Sequence, residues 1–388
     1  MQPIIYLDNA ATTWPKPDEI FTAMENTIRK AVGNPGRGSH NLTIAAGNIL
    51  YDARETAAHY FGCEDPFRLI FTSGITESLN LVLQGFLNQG DRVLVSPMEH
   101  NSVMRPLSFL KERGISFDTL PADTDGRILP DLLENCLTKR TKLIVVCHES
   151  NVNGVIQPVR EIGAFARKHH LYLMADTAQS AGSVPIHIEE DCIDFLAFTG
   201  HKGLLGPAGS GGLILGSRVN SSELRPLKYG GTGSWSDRTE QPDFLPDKYE
   251  SGTLALPAIA GLQAGIQWVQ NRGTAEISQQ ETRLIKELSA ELSKMPTLHL
   301  FQAKEENCRG SVLSFTIDGL DNGIAGQRLN DEFGIMTRIG LHCSPMAHRW
   351  IGTFPNGTIR FSVSPFTSNE EIEKAVMAVR TLTQTIQK

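Results

Sequence analysis

The chain has 388 residues and a mass of 42.6 kDa, which is too long for one ordinary core and predicts two domains or one enlarged domain with an appendage. With 36 basic and 43 acidic residues, a net charge of −7 and no apolar run of membrane-spanning length, we expect neither nucleic acid nor a membrane as a partner. No signal-peptide pattern is seen, which favours a cytoplasmic protein. The six cysteines contain no C-x₂-C pair, so neither a metal site nor a disulfide framework is expected.

Short apolar runs alternate with helical patterns between residues 68 and 216. The seven runs lie at 68–73, 91–96, 116–120, 142–148, 171–176, 194–199 and 211–216. Apolar strands joined by helical crossovers predict an α/β fold with a mostly parallel seven-stranded sheet that helices cover. Ligands of such sheets bind at the carboxyl ends of the strands, so motifs that directly follow a strand are the first candidates for a site.

The remainder of the chain predicts a loop and a second unit. Residues 217–257 are rich in glycine, proline, serine and charge, which is typical of a long functional loop. Amphipathic helices follow, then strands near 311–317 and 358–364 and a helix after Thr367. We therefore expect a large domain at 15–257 and a smaller α+β domain at 258–388, which residues 1–14 join.

Three motifs that follow strands could carry chemistry. FTSGITES at 71–78 begins a helix, where free N–H groups and Thr76 can bind a phosphate, although an ordinary helix cap has the same pattern. Asp176 ends an apolar strand, where it either caps a turn or faces a protonated pyridine nitrogen. Lys202 lies in an apolar, glycine-rich segment, and a desolvated lysine is a usable amine for a Schiff base. Pyridoxal phosphate requires all three groups, and we predict it as the cofactor.

These motifs belong to a wider set that spans nearly the whole chain. The set is LDNAATT at 7–13, TSGITES at 72–78, EHNS at 99–102, ESNVNG at 149–154, ADTAQ at 175–179, TGHK at 199–202, ESGT at 250–253, RIGLHC at 338–343 and IRFS at 359–362. It resembles the class V aminotransferase group, which has the fold type I of pyridoxal-phosphate enzymes. Within that group, R-x-G-x-H-C resembles the branch of cysteine desulfurases and selenocysteine lyases.

The resemblance implies a role for each matching residue. The catalytic residues are implied to be Lys202, which attaches the cofactor and moves the substrate Cα proton, His100, which stacks on the ring and acts as an acid or base, and Cys343, the nucleophile. The implied cofactor contacts are Gly74, Ile75, Thr76, His100, Asp176, Gln179, Thr199, His201, Lys202 and, across a homodimer interface, Thr253. The implied substrate contacts are Asn151, Arg338 and Arg360.

Simpler interpretations of single residues remain open at this point. His100 alone is more often a satisfied, partly buried histidine, Arg360 an ion-paired arginine and Asn151 a turn residue. Cys343 lies before a proline in a loop-like segment, where Arg338 and His342 could stabilise a thiolate, and we interpret the other five cysteines as structural.

The activity implied by the resemblance is that of a cysteine desulfurase. Such an enzyme converts L-cysteine to L-alanine and takes the sulfur onto Cys343 as a persulfide, for delivery to an acceptor protein. The alternatives are a selenocysteine lyase, a class V transaminase or C–S lyase in which Cys343 is not catalytic, and a non-catalytic sulfur carrier. Ile339 and Leu341 depart from the usual R-T-G-x-H-C pattern, and the residues 348–350 beyond it receive no role from the sequence.

Overall fold

A computed structural model describes residues 4–30, 33–36 and 38–386. In the described chain the strands are β1 (Ile5–Tyr6), β2 (Leu69–Thr72), β3 (Arg92–Val95), β4 (Ser116–Thr119), β5 (Thr141–Cys147), β6 (Tyr172–Asp176), β7 (Phe195–Thr199), β8 (Gly211–Leu215), β9 (Leu298–Phe301), β10 (Val312–Ile317), β11 (Ile335–Met336), β12 (Arg338–Gly340) and β13 (Thr358–Ser362). The α-helices are α1 (Asp18–Lys30), α2 (Asn41–Tyr60), α3 (Ile75–Phe86), α4 (Asn101–Lys111), α5 (Val159–Lys168), α6 (Leu256–Arg272), α7 (Thr274–Leu292), α8 (Asn322–Phe333), α9 (Pro345–Trp350) and α10 (Asn369–Ile386).

The larger sheet has seven strands in the order β2-β8-β7-β6-β5-β3-β4. Only β8 runs antiparallel to its neighbours, so the predicted mostly parallel sheet is confirmed. Alternate residues of β5 enter two different cores, with Ile144 and Val146 on one face and Leu143 and Val145 on the other. Because helices cover both faces, the strands are apolar at nearly every position, and this is why the sequence revealed them.

The smaller sheet has four antiparallel strands in the order β12-β13-β10-β9, and α7, α8 and α10 pack around it. The N-terminal strand β1 pairs in parallel with β11, so the start of the described chain joins this unit. Helix α6 packs Ile259, Leu262 and Ile266 into a core of the large sheet. The boundary at 257/258 stays a prediction, and residues 1–3, 387 and 388 of the predicted small domain lie outside the described residues.

The chain between β8 and α6 is almost entirely irregular, as predicted, and a buried ion pair fixes its end. Glu250 receives two hydrogen bonds from Arg54, at 2.9 and 2.7 Å, and a third from the Phe71 N–H at 2.7 Å. Arg54 also donates to the Leu69 carbonyl. The loop is thereby tied to β2, the strand that precedes helix α3.

Replacing Arg54 by alanine is expected to lower the free energy of unfolding by about 3–5 kcal/mol, because Glu250 would remain buried as an unpaired charge. Urea unfolding followed by tryptophan fluorescence measures the change. The control is Lys374→Ala, which removes an exposed pair with Glu370 (42 and 74% exposed) and is expected to leave the free energy of unfolding nearly unchanged. Equal losses in the two variants would contradict a stabilising role for the buried pair.

No helix in the described part of the chain has both the length and the apolar character needed to cross a membrane.

Candidate active site

A cavity of about 350 Å³ lies at the carboxyl ends of the parallel strands. Ten of the residues singled out in the sequence line it, namely Gly74, Ile75, Thr76, His100, Asn151, Asp176, Gln179, Thr199, His201 and Lys202. They come from the segments that follow five different strands. A parallel sheet brings these segments together at one edge, so residues up to 128 positions apart line one space.

Lys202 and Asp176 are buried ionisable residues of opposite charge that line the cavity. Burial lowers the pKa of Lys202 to about 8, and the charge of Asp176 opposes that shift in part. Asp176 is 3% exposed and accepts one hydrogen bond, from the Ala178 N–H at 2.9 Å. Burial raises the pKa of the Asp176 carboxyl. A cationic partner in the cavity would therefore stabilise its ionised form.

The start of helix α3 forms one wall of the cavity. In the described part of the chain no carbonyl accepts from the N–H groups of Ile75 and Thr76, which point out of the first turn. Gly74 precedes them with a φ of 150°, and a Cβ on Gly211 would lie 2.7 Å from the Gly74 Cα. Glycine at both positions lets the motif approach the sheet closely and leaves its N–H groups free for an anion.

His100 is a neutral histidine whose proton position follows from its neighbours. Its Nδ1 accepts from the Ser102 N–H at 3.0 Å, so the ring proton lies on Nε2. Burial, assisted by the charge of Lys202, lowers the pKa of His100 to about 4. The Nδ1 of His100 therefore has a hydrogen-bond partner, as the simpler interpretation expected. The ring also lines the cavity.

Cys343 lies outside this cavity and lines an adjoining one of about 490 Å³. The two cavities share Thr76, His100 and Ser102 as walls. Cys343 is exposed, and its sulfur lies 3.3 Å from Nη2 of Arg338. The thiol is thus at the entrance and has a cation beside it.

One of the sequence expectations about charge needs correction. His342 was expected to help stabilise a thiolate as a cation, but it is 2% exposed, and burial together with the charge of Arg360 lowers its pKa to about 2. It is therefore uncharged at neutral pH, which leaves Arg338 as the cation in contact with the sulfur. Arg360 does not line the cavity; it is fully buried and donates to Asp8 at 2.6 Å and to the Asn151 carbonyl at 3.0 Å. Its Nε has no partner among the described residues.

Thr253, the remaining residue of the predicted set, is exposed and does not line the cavity of its own chain.

The family to which the chain belongs follows from a comparison with known families. The model described as Aminotransferase class-V matches residues 5–375. The chain belongs to the class V aminotransferase family. The match includes both sheets and every residue of the predicted site.

Similar proteins are named as cysteine desulfurases. The "Probable cysteine desulfurase" of Methanothermobacter thermautotrophicus is 33% identical over 95% of this chain and 92% of its own length. The apo structure of the cysteine desulfurase from Thermococcus onnurineus superposes with a TM-score of 0.92 at 30% identity, covering 98% of this chain and 95% of that one. The cysteine desulfurase CsdA from Escherichia coli gives 0.86 at 27% identity over 98 and 95% of the two chains. The chain therefore has the fold that is called fold type I among pyridoxal-phosphate enzymes.

Cys147 and Glu99 are among the residues in or beside the cavity that the sequence analysis missed. Cys147, which we interpreted as structural, lines the cavity and pairs with Asp176 across neighbouring strands. Glu99 is fully buried and accepts from the Ser96 hydroxyl at 2.6 Å and from the Cys147 N–H at 2.7 Å. Burial raises the pKa of Glu99 to about 8, so it is a neutral acid at pH 7. Its place before His100 in EHNS was the available signal, but a sequence does not show that a glutamate is buried.

Proposed function

We propose that this protein is a pyridoxal-phosphate-dependent cysteine desulfurase that converts L-cysteine to L-alanine and takes the sulfur onto Cys343. The observation that carries the proposal is the exposed thiol at the entrance to a cavity that contains Lys202 and Asp176. The names of the similar proteins support the same activity.

The residues of the cavity fit pyridoxal phosphate. Asp176 has a buried carboxylate with a single backbone donor, which suits a protonated pyridine nitrogen. The free N–H groups of Ile75 and Thr76 suit the phosphate, and Lys202 has an amine with a pKa of about 8. When bound, the cofactor withdraws electrons from the substrate Cα and so makes its proton acidic.

The surroundings of the cavity residues support a role for each of them. We assign to Lys202 the attachment of the cofactor and the movement of the Cα proton, because its lowered pKa leaves part of the amine unprotonated near neutral pH. Asp176 would hold the proton on the ring nitrogen. His100 would lie against the ring, and its Nε2–H is available to donate a hydrogen bond into the cavity. Gln179, Thr199 and His201 would complete the cofactor contacts.

The substrate carboxylate is assigned to the arginines of the small sheet and to Asn151. Arg338 and Arg360 are paired residues of β12 and β13, so their charges lie side by side. Asp8 now binds the Arg360 guanidinium, and a substrate carboxylate would have to share or replace that contact. A planar guanidinium binds a carboxylate through two parallel hydrogen bonds, which favours arginine here.

The sulfur step conserves atoms and electrons. The thiolate of Cys343 attacks the substrate sulfur, and a sulfur–sulfur bond forms as the Cβ–S bond breaks. The electron pair of the broken bond stays with the carbon, which gains a proton and becomes the methyl group of alanine. One cysteine and one enzyme thiol thus give one alanine and one persulfide, which an acceptor thiol can later take.

We further propose a cytoplasmic homodimer that delivers sulfur to an acceptor protein. Thr253 is exposed and lies outside its own cavity, which suits a contact with the cofactor phosphate of a neighbouring subunit. All six cysteines are free, as is usual in a reducing compartment.

The test of the function is a product measurement on purified protein loaded with pyridoxal phosphate. With L-cysteine and a thiol reductant, alanine and sulfide are expected in a 1:1 ratio, and after reaction without the reductant tandem mass spectrometry is expected to locate a persulfide at Cys343. A keto acid without persulfide would instead identify a transaminase or C–S lyase. A much higher catalytic efficiency with selenocysteine than with cysteine would identify a selenocysteine lyase.

A further inference from the structure

Behind the loop that carries Cys343 lies a row of buried polar side chains whose hydrogen bonds run in one direction. The Ser314 hydroxyl donates to the Val152 carbonyl at 2.5 Å, because a carbonyl can only accept. With that proton committed, the Thr358 hydroxyl donates to Ser314 Oγ at 3.0 Å. The Thr358 oxygen is then an acceptor for Nε2 of His342, which lies 2.9 Å away.

This order fixes the tautomer of His342. Its proton must lie on Nε2, and because the ring is uncharged its Nδ1 carries only a lone pair. That Nδ1 is buried and has no partner among the described residues. An acceptor left unsatisfied in a protein interior is destabilising, and a donor beside it would remove that cost.

His348, which received no role from the sequence, is the ring that lies beside His342. It is fully buried, its ring centroid lies 5.3 Å from that of His342, and its Nε2 also lacks a described partner. The Thr353 hydroxyl lies 2.7 Å from Nδ1 of His348, much closer than the 3.5 Å to the His348 carbonyl. Either group can be the donor in that 2.7 Å contact. Only the tautomer of His348 that carries its proton on Nε2 supplies a donor for the lone pair of His342 on the neighbouring ring.

We propose that Nε2–H of His348 donates to Nδ1 of His342 and that His348 is thereby a positioning residue for Cys343. In the described orientations the two nitrogens do not form a hydrogen bond, but the ring separation permits one when the rings rotate until the nitrogens face each other. The completed series runs from Thr353 through both histidines and Thr358 to Ser314. This role rests on the proposed function of Cys343.

The loop needs such support because its backbone is strained. His342 and Cys343 are consecutive non-glycine residues with φ of 48° and 59°, a left-handed conformation that is unfavourable for side chains with a Cβ. Two hydrogen bonds hold the backbone, from Asn151 Nδ2 to the His342 carbonyl at 2.7 Å and from the Asn101 N–H to the Cys343 carbonyl at 2.9 Å. Neither of them fixes the His342 ring. The bond from His348 would hold the ring from its second side and so maintain the direction of the neighbouring thiol.

The test compares two substitutions of His348 that each preserve one of its contacts. His348→Gln keeps an N–H near the position of Nε2 and is expected to retain alanine formation within about threefold, since the bond to His342 is kept. His348→Asn keeps a polar atom near Nδ1 but loses the donor. It is expected to lower kcat by about tenfold with little change in KM, and to alter the rate at which iodoacetamide alkylates Cys343. Arg349→Ala, on the exposed side of α9, is the control and is expected to match the wild type.

The alkylation rate and the ring tautomer separate this inference from the proposed function, because neither requires turnover. ¹⁵N spectra of histidine-labelled wild type are expected to show His342 protonated on Nε2 only, whether or not the variants fold. A proton on Nδ1 of His342 would overturn the proposal, as would equal impairment of the Gln and Asn variants or a wild-type-like Asn variant. If the protein makes no alanine yet the tautomer and alkylation results hold, the proposed function fails and the positioning role stands.

Discussion

Cys343→Ser is expected to lower alanine formation from L-cysteine by about 100-fold or more, because a serine hydroxyl stays protonated near pH 7 and cannot take the sulfur as a persulfide. The exchange of sulfur for oxygen is small and takes place at an exposed position, so the fold and the inner cavity are expected to stay intact. The measurement is the steady-state rate of alanine release, with mass spectrometry of the intact protein for the persulfide.

The control for this variant is Cys136→Ser, the same change at a partly buried cysteine that lines neither cavity of the site. It is expected to leave the rate unchanged. A Cys343→Ser protein that makes alanine from cysteine at the wild-type rate would refute the nucleophile. Because selenium leaves more readily than sulfur, activity that survives on selenocysteine alone would be consistent with either enzyme, and the wild-type efficiencies on the two substrates must then decide.

Lys202→Ala is expected to abolish both the covalent retention of pyridoxal phosphate and the activity, with a loss of at least about 1,000-fold in rate. The amine of Lys202 is proposed both to attach the cofactor and to move the Cα proton. Its removal is therefore expected to abolish both functions. Mass spectrometry after borohydride reduction measures attachment, since only a lysine linked to the cofactor gains its mass.

Lys202→Arg distinguishes the amine from its positive charge. Arginine keeps a cation near Asp176 but stays protonated, so the cofactor is expected to bind without covalent attachment and turnover is expected to remain lost. The exposed Lys286, ion-paired with Glu306, provides the control substitution Lys286→Ala, which is expected to retain both properties. Covalent cofactor in Lys202→Ala would show that another lysine holds it.

The sequence predicted the large sheet well because strands buried on two faces are apolar throughout. Each of the seven runs overlaps one strand of the observed sheet, with ends that differ by at most one residue. Around the smaller sheet, β1, β9, β11 and β12 were missed. They have two to four residues and several exposed positions, so they are too short to show an alternating pattern.

The inner cavity was predicted for a related reason. Its residues directly follow strands, and the topology of a parallel sheet brings such positions to one edge whatever the lengths of the crossovers. The interior charges could not be predicted in this way. Asp8 contacts Arg360 across 352 positions of the chain, and the uncharged state of His342 follows from its burial.

By itself the sequence determined the residue types of the chemistry, namely a lysine, an aspartate and a glycine-rich helix start in a βαβ series, together with a cysteine in a loop. Only the tertiary structure decided which of these groups are charged, which way their hydrogen bonds run and which face a shared space. The physical reason is that strand patterns depend on local periodicity, whereas protonation and hydrogen-bond direction depend on burial and on partners that are distant in the chain.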